Sequence, residues 1–517
     1  MKQFLLLVCF TLSSYLLNSQ VVDLNNILKP YLNFIEPIIE NSVVTGYFTF
    51  SAIDKSDKKN YHYQIKIFDI NLQEKHSVDL VKPSRYKLLE TGYNGTHFCF
   101  SFLDQNAKKL ENTLIDSEGK ILGSYDILDL KNREMELLRG SSEGENNPYA
   151  GSMISVKNKG FVRYIADTEK GWNSRIEMFN NKLEKQWSHM ANPTTERDYA
   201  FVYPLATSED RLFSLVTIKD GLLSQRYNAN YILMHDIQTG ALIKKISNST
   251  AQHEFAPAGI NFDPISAHYL IYGEYLAPKD NILKEKSTGI YVMEIDKDGK
   301  KVNEGFSSWA KDLSKALDLN EKGKMDNNMT LAVQEIVRTS NNKVFAICEQ
   351  FKKAADGGAI AANMIFSTSI PMAKAVKGNI VVLEFDNTLK IINSYTFDKD
   401  KGSAFLPSGA EFMSTAFVGT YLKSQGEFDY LYTTMSPDDS MFSILYVNYD
   451  RDKDSGNNYV VGNIVYNKEQ KLVHDKIRLK TKPSAFIALP GKPGYVVIYE
   501  YFKKEKKLQL RLEKLKV

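Results

Sequence analysis

The chain has 517 residues, 65 Lys+Arg against 62 Asp+Glu, 43% hydrophobic and 12% aromatic residues, 3 Cys and 15 Pro. It is too apolar and aromatic for a disordered chain, too poor in Cys for a disulfide scaffold, and too evenly charged for a nucleic-acid coat. Length alone suggests about three or four domains at ~150 residues each.

The N-terminus reads Met1-Lys2-Gln3, an uncharged run from Phe4 to Leu17, then Asn18-Ser19-Gln20. A basic start, a short apolar run and a small residue form the pattern of a secretory signal, residues 1–19, cleaved after Ser19. The alternative is an N-terminal membrane anchor, for which the run is short. Cys9 lies inside the run, too early for a lipoprotein site. No later segment reaches spanning length, so a mature chain of 20–517 is expected without a transmembrane segment, in the cell envelope, the periplasm or the medium.

Two signatures then recur along the chain. In the first, a polar turn leads into a strand that opens with an aromatic: Tyr47, Phe98, Phe161, Phe213, Tyr269, Phe345, Phe442 and Tyr495. The second is a strand ending in Asp or Asn before a tight turn: Asp69, Asp116, Asn180, Asp236, Asp296, Asp386 and Asn467. Asp and Asn side chains bond the local backbone in such turns, and Gly supplies the positive φ. The two signatures interleave in constant order, so each unit reads as strand A, turn, strand B, loop, strand C, turn, strand D. A four-stranded antiparallel meander repeated in this way is the blade of a β-propeller. The last unit has strands A, B and C only, and Gln20–Leu24 is expected to supply its D strand, closing the fold by pairing the chain termini. The expectation is an all-β protein, one propeller of eight blades, with seven as the alternative count and a sandwich pair or open solenoid as the competing architecture.

The aromatic strand starts and Asp-turn-Gly units resemble those of secreted bacterial β-propeller proteins of a loosely WD40-like or uncharacterised kind, across nearly the whole mature chain. The Ser-x-Asp-x-Gly-x-x-Trp box of sialidases is missing, as is a repeated Trp-Asp ending, and three Trp are too few for Trp-docked quinoprotein blades. The resemblance therefore implies a fold and assigns no functional residue.

In a meander blade the A–B and C–D turns share one face, and the B–C and D–A connections share the other. The long segments 275–287, 307–328, 351–378, 398–427 and 450–458 all belong to the second set, in consecutive units 5 to 7. Long loops on a rigid scaffold concentrate binding residues, so this face is the expected ligand or partner site, with 307–328, 351–378 and 398–427 as insertions. Trp309, Leu313, Ala316 and Leu317 fall on one stripe of a short amphipathic helix that seals the propeller. The uncharged stretch 359–373, with Phe366, reads as a hairpin or lid. Asp450, Asp452 and Asp454 alternate as calcium-binding carboxylates do, but Ser455 and Val461 depart from an EF-hand, so a solvated hairpin loop is the competing reading. Strand B ends in Glu274, Glu349 and Glu500 in units 5, 6 and 8, suited to buttressing loops. No catalytic residue, nucleophile context or cofactor motif appears, and calcium is the one ion with a candidate site.

These features point to a non-catalytic binding propeller, a monomer that recognises a protein, peptide or glycan and not nucleic acid, with Trp309, Glu274, Glu349 and Phe366 as candidate binding residues. The alternative is a hydrolase or lyase acting on extracellular polysaccharide through Glu274 or Glu349. Cys99 and Cys348, on strands B of units 2 and 6, are expected as free buried thiols.

Overall fold

The computed structural model describes residues 21–515 except 28–33, 41–42, 55–58, 129, 133, 136–137, 139–151, 168–172, 192–198, 220, 222–226, 318, 320–324, 326–327, 356–372, 408, 453–455, 480–482 and 493. The strands form eight four-stranded antiparallel blades, and the fold is an eight-bladed β-propeller. Blades 1 to 7 occupy 34–83, 86–127, 152–190, 199–247, 254–308, 330–397 and 430–478. Blade 8 takes Ala485–Pro490, Tyr495–Phe502 and Lys507–Lys514, and its fourth strand is Val21–Leu24. That strand pairs antiparallel with Lys507–Lys514 in the register Val21 to Arg511 through Leu24 to Leu508, as expected from the missing D strand. The chain divides into two compact units, residues 1–84 with 475–517, and residues 85–474.

Each of the eight signature aromatics lies on the second strand of its blade, and all but Tyr495 are buried. The C–D turns show why Asp and Asn recur. Asp296 Oδ1 accepts the backbone N–H groups of Asp298 and Lys300, each at 2.9 Å, and these amides, Lys300 foremost, hold its carboxyl below the ordinary range. The same pair of bonds recurs at Asp69, Asp116, Asn180, Asp386 and Asn467. Asp236 instead bonds Thr239 in a turn one residue longer.

The expectation that Gly supplies the positive φ holds at Gly119, Gly240 and Gly299 only. Leu72, Leu183, Leu389 and Gln470 take the left-handed conformation in the other four turns. The three leucines are buried among the apolar side chains of their own and an adjacent blade, so burial offsets the backbone cost of about 1–2 kcal/mol. Leu389 shows how close this contact is: a Cβ on Gly305 of blade 5 would lie 2.1 Å from the Leu389 carbonyl oxygen, so only Gly fits there.

Candidate functional site

The elaborated connections of blades 5 to 7 all lie in the 85–474 unit, and among the described residues strands and short helices extend into several of them. Where 351–378 was expected to be a loop, the second and third strands of blade 6 run on as Val344–Ala355 and Ala373–Phe385, paired out to Ala355 with Ala373. Gly402–Phe405 adds a fifth strand against Lys374–Lys377. The 398–427 connection also carries a 3-10 turn, Ala410–Phe412, and a ten-residue helix, Thr415–Ser424. Where 450–458 was expected to be a long loop, the strands Phe442–Asp452 and Gly456–Tyr466 pair antiparallel out to Asp452 with Gly456. In each case strand pairing satisfies backbone groups that a projecting loop would leave to water.

The helix is capped locally and anchored distantly. Ser414 accepts from the Phe417 amide at 3.0 Å, its hydroxyl donates to the Ile282 carbonyl at 2.6 Å, and its own amide donates to the Leu283 carbonyl at 2.7 Å. Val418 and Leu422, one turn apart, face Phe351, Ala375, Leu406 and Phe428, a small second core over blade 6. Gly419 permits the approach, since a Cβ there would already stand 3.3 Å from Ala332 and the Phe351 ring. At the C-terminal end Lys423 is half-buried, with its ammonium group turned inward: its Nζ donates to the Ala258 carbonyl at 2.8 Å and sits 5.0 Å from the centre of the Tyr272 ring. Burial pulls its pKa down to about 8.

Beneath the helix is a cavity of about 10 Å³, enough for one water, lined by Glu274, Lys423, Thr420 and small apolar side chains. Burial pushes Glu274 up to about 7, partly opposed by its hydrogen bond from Ser287. Ser287 Oγ also accepts the Trp309 indole N–H at 2.9 Å, so two of the candidate residues, Glu274 and Trp309, meet through one hydroxyl. Trp309 belongs to a π turn, Trp309–Leu313, that runs into a short α turn, Ser314–Leu317. Trp309 and Leu313 are buried against blades 5 and 6, the sealing role their stripe suggests.

Glu349 lies in a separate buried charge cluster. Its carboxylate accepts from the Tyr430 amide at 2.9 Å, the Asp429 amide at 3.3 Å and Lys399 Nζ at 3.1 Å. Lys399 also bonds Asp429 at 2.7 Å, and Lys377 reaches the other Asp429 oxygen at 2.5 Å. Burial raises the Glu349 carboxyl above its ordinary range, with Lys399 opposing. Two carboxylates and two ammonium groups thus close on one another and pin the start of blade 7 to blade 6. Glu500, the third strand-end carboxylate, is buried against Arg511 at 2.9 Å.

Phe366 and Asp454 lie outside the described residues. Asp450 and Asp452 stand on the blade 7 hairpin opposite Asn458 and Gly456. Among the described residues no group of three or more His, Cys, Asp or Glu side chains converges as metal ligands do. Cys99 and Cys348 are free and buried, and burial pushes the Cys99 thiol up to about 12. No described helix is long and apolar enough to cross a membrane.

Lys423, Tyr272, Ser414, Lys399 and Asp429 build this site and escaped the sequence reading. One signal was available: Ser414 before Phe417, Val418, Tyr421 and Leu422 is an N-cap ahead of helical spacing. At the surface, Phe405 and Phe412 are 72% and 73% exposed, the most exposed large hydrophobic side chains among the described residues, and both belong to the blade 6 insertion.

Among solved structures, the chain is similar to an ulvan lyase reported as a new family of polysaccharide lyase, at 8% identity over 84% of this chain and 94% of that one, with a TM-score of 0.41. It is also similar to the β-propeller domain of the Trilobed protease from Pyrococcus furiosus, at 13% identity, 72% and 97% coverage and a TM-score of 0.32. An endo-arabinase from Bacteroides thetaiotaomicron aligns at 11% identity, 59% and 90% coverage and a TM-score of 0.23. Likeness at this level concerns strand architecture and not the site. No curated protein matches the chain. Residues 1–516 match a family of unknown function, DUF6770, and the chain belongs to that family.

Proposed function

We propose that the protein is a secreted interaction propeller of bacterial origin that engages a protein, peptide or glycan partner through the insertion on blades 5 to 7. The observation that carries this reading is the exposure of Phe405 and Phe412 on an insertion whose interior is already packed. Aromatic side chains held on a rigid support and open to water are what interface anchors look like before binding. The carboxylates beneath support the same reading. Glu274 and Glu349 are buried and hydrogen-bonded to the fold, which suits them to hold the surface rather than to meet a substrate. The Lys2 start and the uncharged run 4–17 support export of the chain.

The test is crosslinking in the native envelope with wild type and with Phe405→Ser/Phe412→Ser. The reading requires a partner crosslinked by wild type and lost in the double variant at unchanged melting temperature. A wild-type protein that depolymerises an extracellular polysaccharide, with activity lost in Glu274→Gln or Glu349→Gln, would replace it with the hydrolase or lyase alternative.

A further inference from the structure

The charge cluster at the root of the blade 6 insertion is arranged for more than ion pairing. Lys399 Nζ lies 2.7 Å from Asp429 Oδ2 and 3.1 Å from Glu349 Oε1, and the side chains of Lys399 and Glu349 are wholly enclosed. The Asp429 side chain is also buried, and its other oxygen, Oδ1, takes Lys377 Nζ at 2.5 Å. Phe428, beside Asp429, is buried against Phe351 with ring centres 5.8 Å apart, and Tyr446, next to both carboxylates, is fully buried.

Each member of the cluster has a distinct place. The Asp429 and Tyr430 amides fix Glu349, and the Glu427 carbonyl at 2.7 Å fixes Lys377. Among the described residues, Lys399 alone touches both carboxylates. Two ammonium and two carboxylate groups held out of water carry a desolvation cost that their mutual attraction only partly repays. Burial also raises the Glu349 carboxyl, which favours passage of a proton from the Lys399 ammonium to Glu349. A neutral amine then faces the Asp429 carboxyl.

We propose that Lys399 and Asp429 join in an intramolecular amide bond, with Glu349 as the proton carrier and Lys377 as the group that stabilises the oxyanion. The Lys399 Nζ lone pair attacks Asp429 Cγ, and Lys377 balances the negative charge that gathers on Oδ1. Glu349 takes two protons in turn from Nζ and delivers them to Oδ2. The Cγ–Oδ2 bond breaks, its electron pair leaves with the oxygen, and one water is released. An ammonium and a carboxylate thus become one neutral amide, Glu349 ends as it began, and nothing is oxidised or reduced. Loss of one buried charge pair favours the bond here, whereas in water the same two groups stay hydrated and apart.

Lys399 and Asp429 are 30 positions apart, and the segment between them carries Phe405, Phe412 and the Thr415–Ser424 helix. The bond closes that segment into a covalent loop and staples the insertion at its base. It forms within one chain and needs no partner for the insertion.

The test is peptide mapping by mass spectrometry of the full chain, wild type and Glu349→Gln, after denaturation and trypsin digestion. In wild type the expected product is residues 391–401 joined to residues 424–451, lighter by one water than the two peptides together and uncut after Lys399. Glu349→Gln is expected to yield the two segments separately, with cleavage after Lys399. A wild type that yields residues 391–399 and 424–451 as separate peptides overturns the inference. A link through Lys377, within residues 375–390, overturns the choice of Lys399, and equal linkage in Glu349→Gln overturns the role of Glu349. If Glu349→Gln does not fold, Glu349→Asp, whose shorter side chain draws the carboxyl back from Lys399, is expected to link only in part and is read by the same criteria.

Discussion

Replacing Glu274 with Gln tests the buttressing role of the strand-end carboxylate and has a sign that depends on pH. Glu274 lies buried under the Thr415–Ser424 helix, its pKa pushed up to about 7 from the 4.5 of a free glutamate. The difference corresponds to ~3 kcal/mol by which the fold disfavours the ionised carboxylate, at about 1.36 kcal/mol for each tenfold change. Below about pH 4.5 the group is neutral in both folded and unfolded chains and costs nothing. As pH rises through 7 it ionises in the fold, and the stability present at low pH is lost. Gln is neutral throughout and keeps a carbonyl to accept from Ser287. Glu274→Gln is therefore expected to match wild type near pH 4 and to exceed it by up to ~3 kcal/mol at pH 9. Spread over the length of the 85–474 unit at ~2 cal/mol/K per residue, this is a rise of about 4 °C. Calorimetric scans of both proteins from pH 4 to 9 read the difference directly. Lys423, the other titrating group at the cavity, is present in both and cancels. A difference that does not change with pH, or a variant less stable than wild type at pH 9, would refute the assignment of Glu274 as a buried structural carboxyl.

Lys399→Met leaves Glu349 and Asp429 buried with Lys377 as the remaining cation, and stability should fall by ~3–5 kcal/mol in denaturant titration. Adding Glu349→Gln should recover part of that loss, and a double variant no better than the single would argue against the pairing. Leu389→Gly relieves a positive φ worth about 1–2 kcal/mol and removes a buried side chain worth ~2–5 kcal/mol, so a net loss of ~0–4 kcal/mol is expected in melting experiments. A gain in stability would mean that backbone strain, not interblade packing, dominates at that turn.

The blade repeat was legible because it is written in local physics. Asp69, Asp296 and Asp386 bond amides two and four residues ahead, and strand alternation sets the faces on which Tyr47 or Phe345 is buried. Both features recur with the chain and need no knowledge of what lies opposite. The same reasoning placed Gln20–Leu24 at the open edge of the last blade, since an unpaired strand edge and a spare strand complete one another. The insertions were legible as length but not as structure. Their order comes from contacts that join distant residues: Ser414 to Ile282 across 132 positions, Lys423 to Ala258 across 165. Leu72, Leu183 and Leu389 illustrate the same limit, because a left-handed leucine is explained only by the adjacent blade that buries it.

Sequence alone thus determined the repeated four-stranded β architecture, because strand period and turn chemistry act over a few residues. Tertiary structure alone decided that Glu274 and Glu349 are enclosed and that Phe405 and Phe412 face water. Burial is a property of what packs against a residue, and that neighbour comes from elsewhere in the chain.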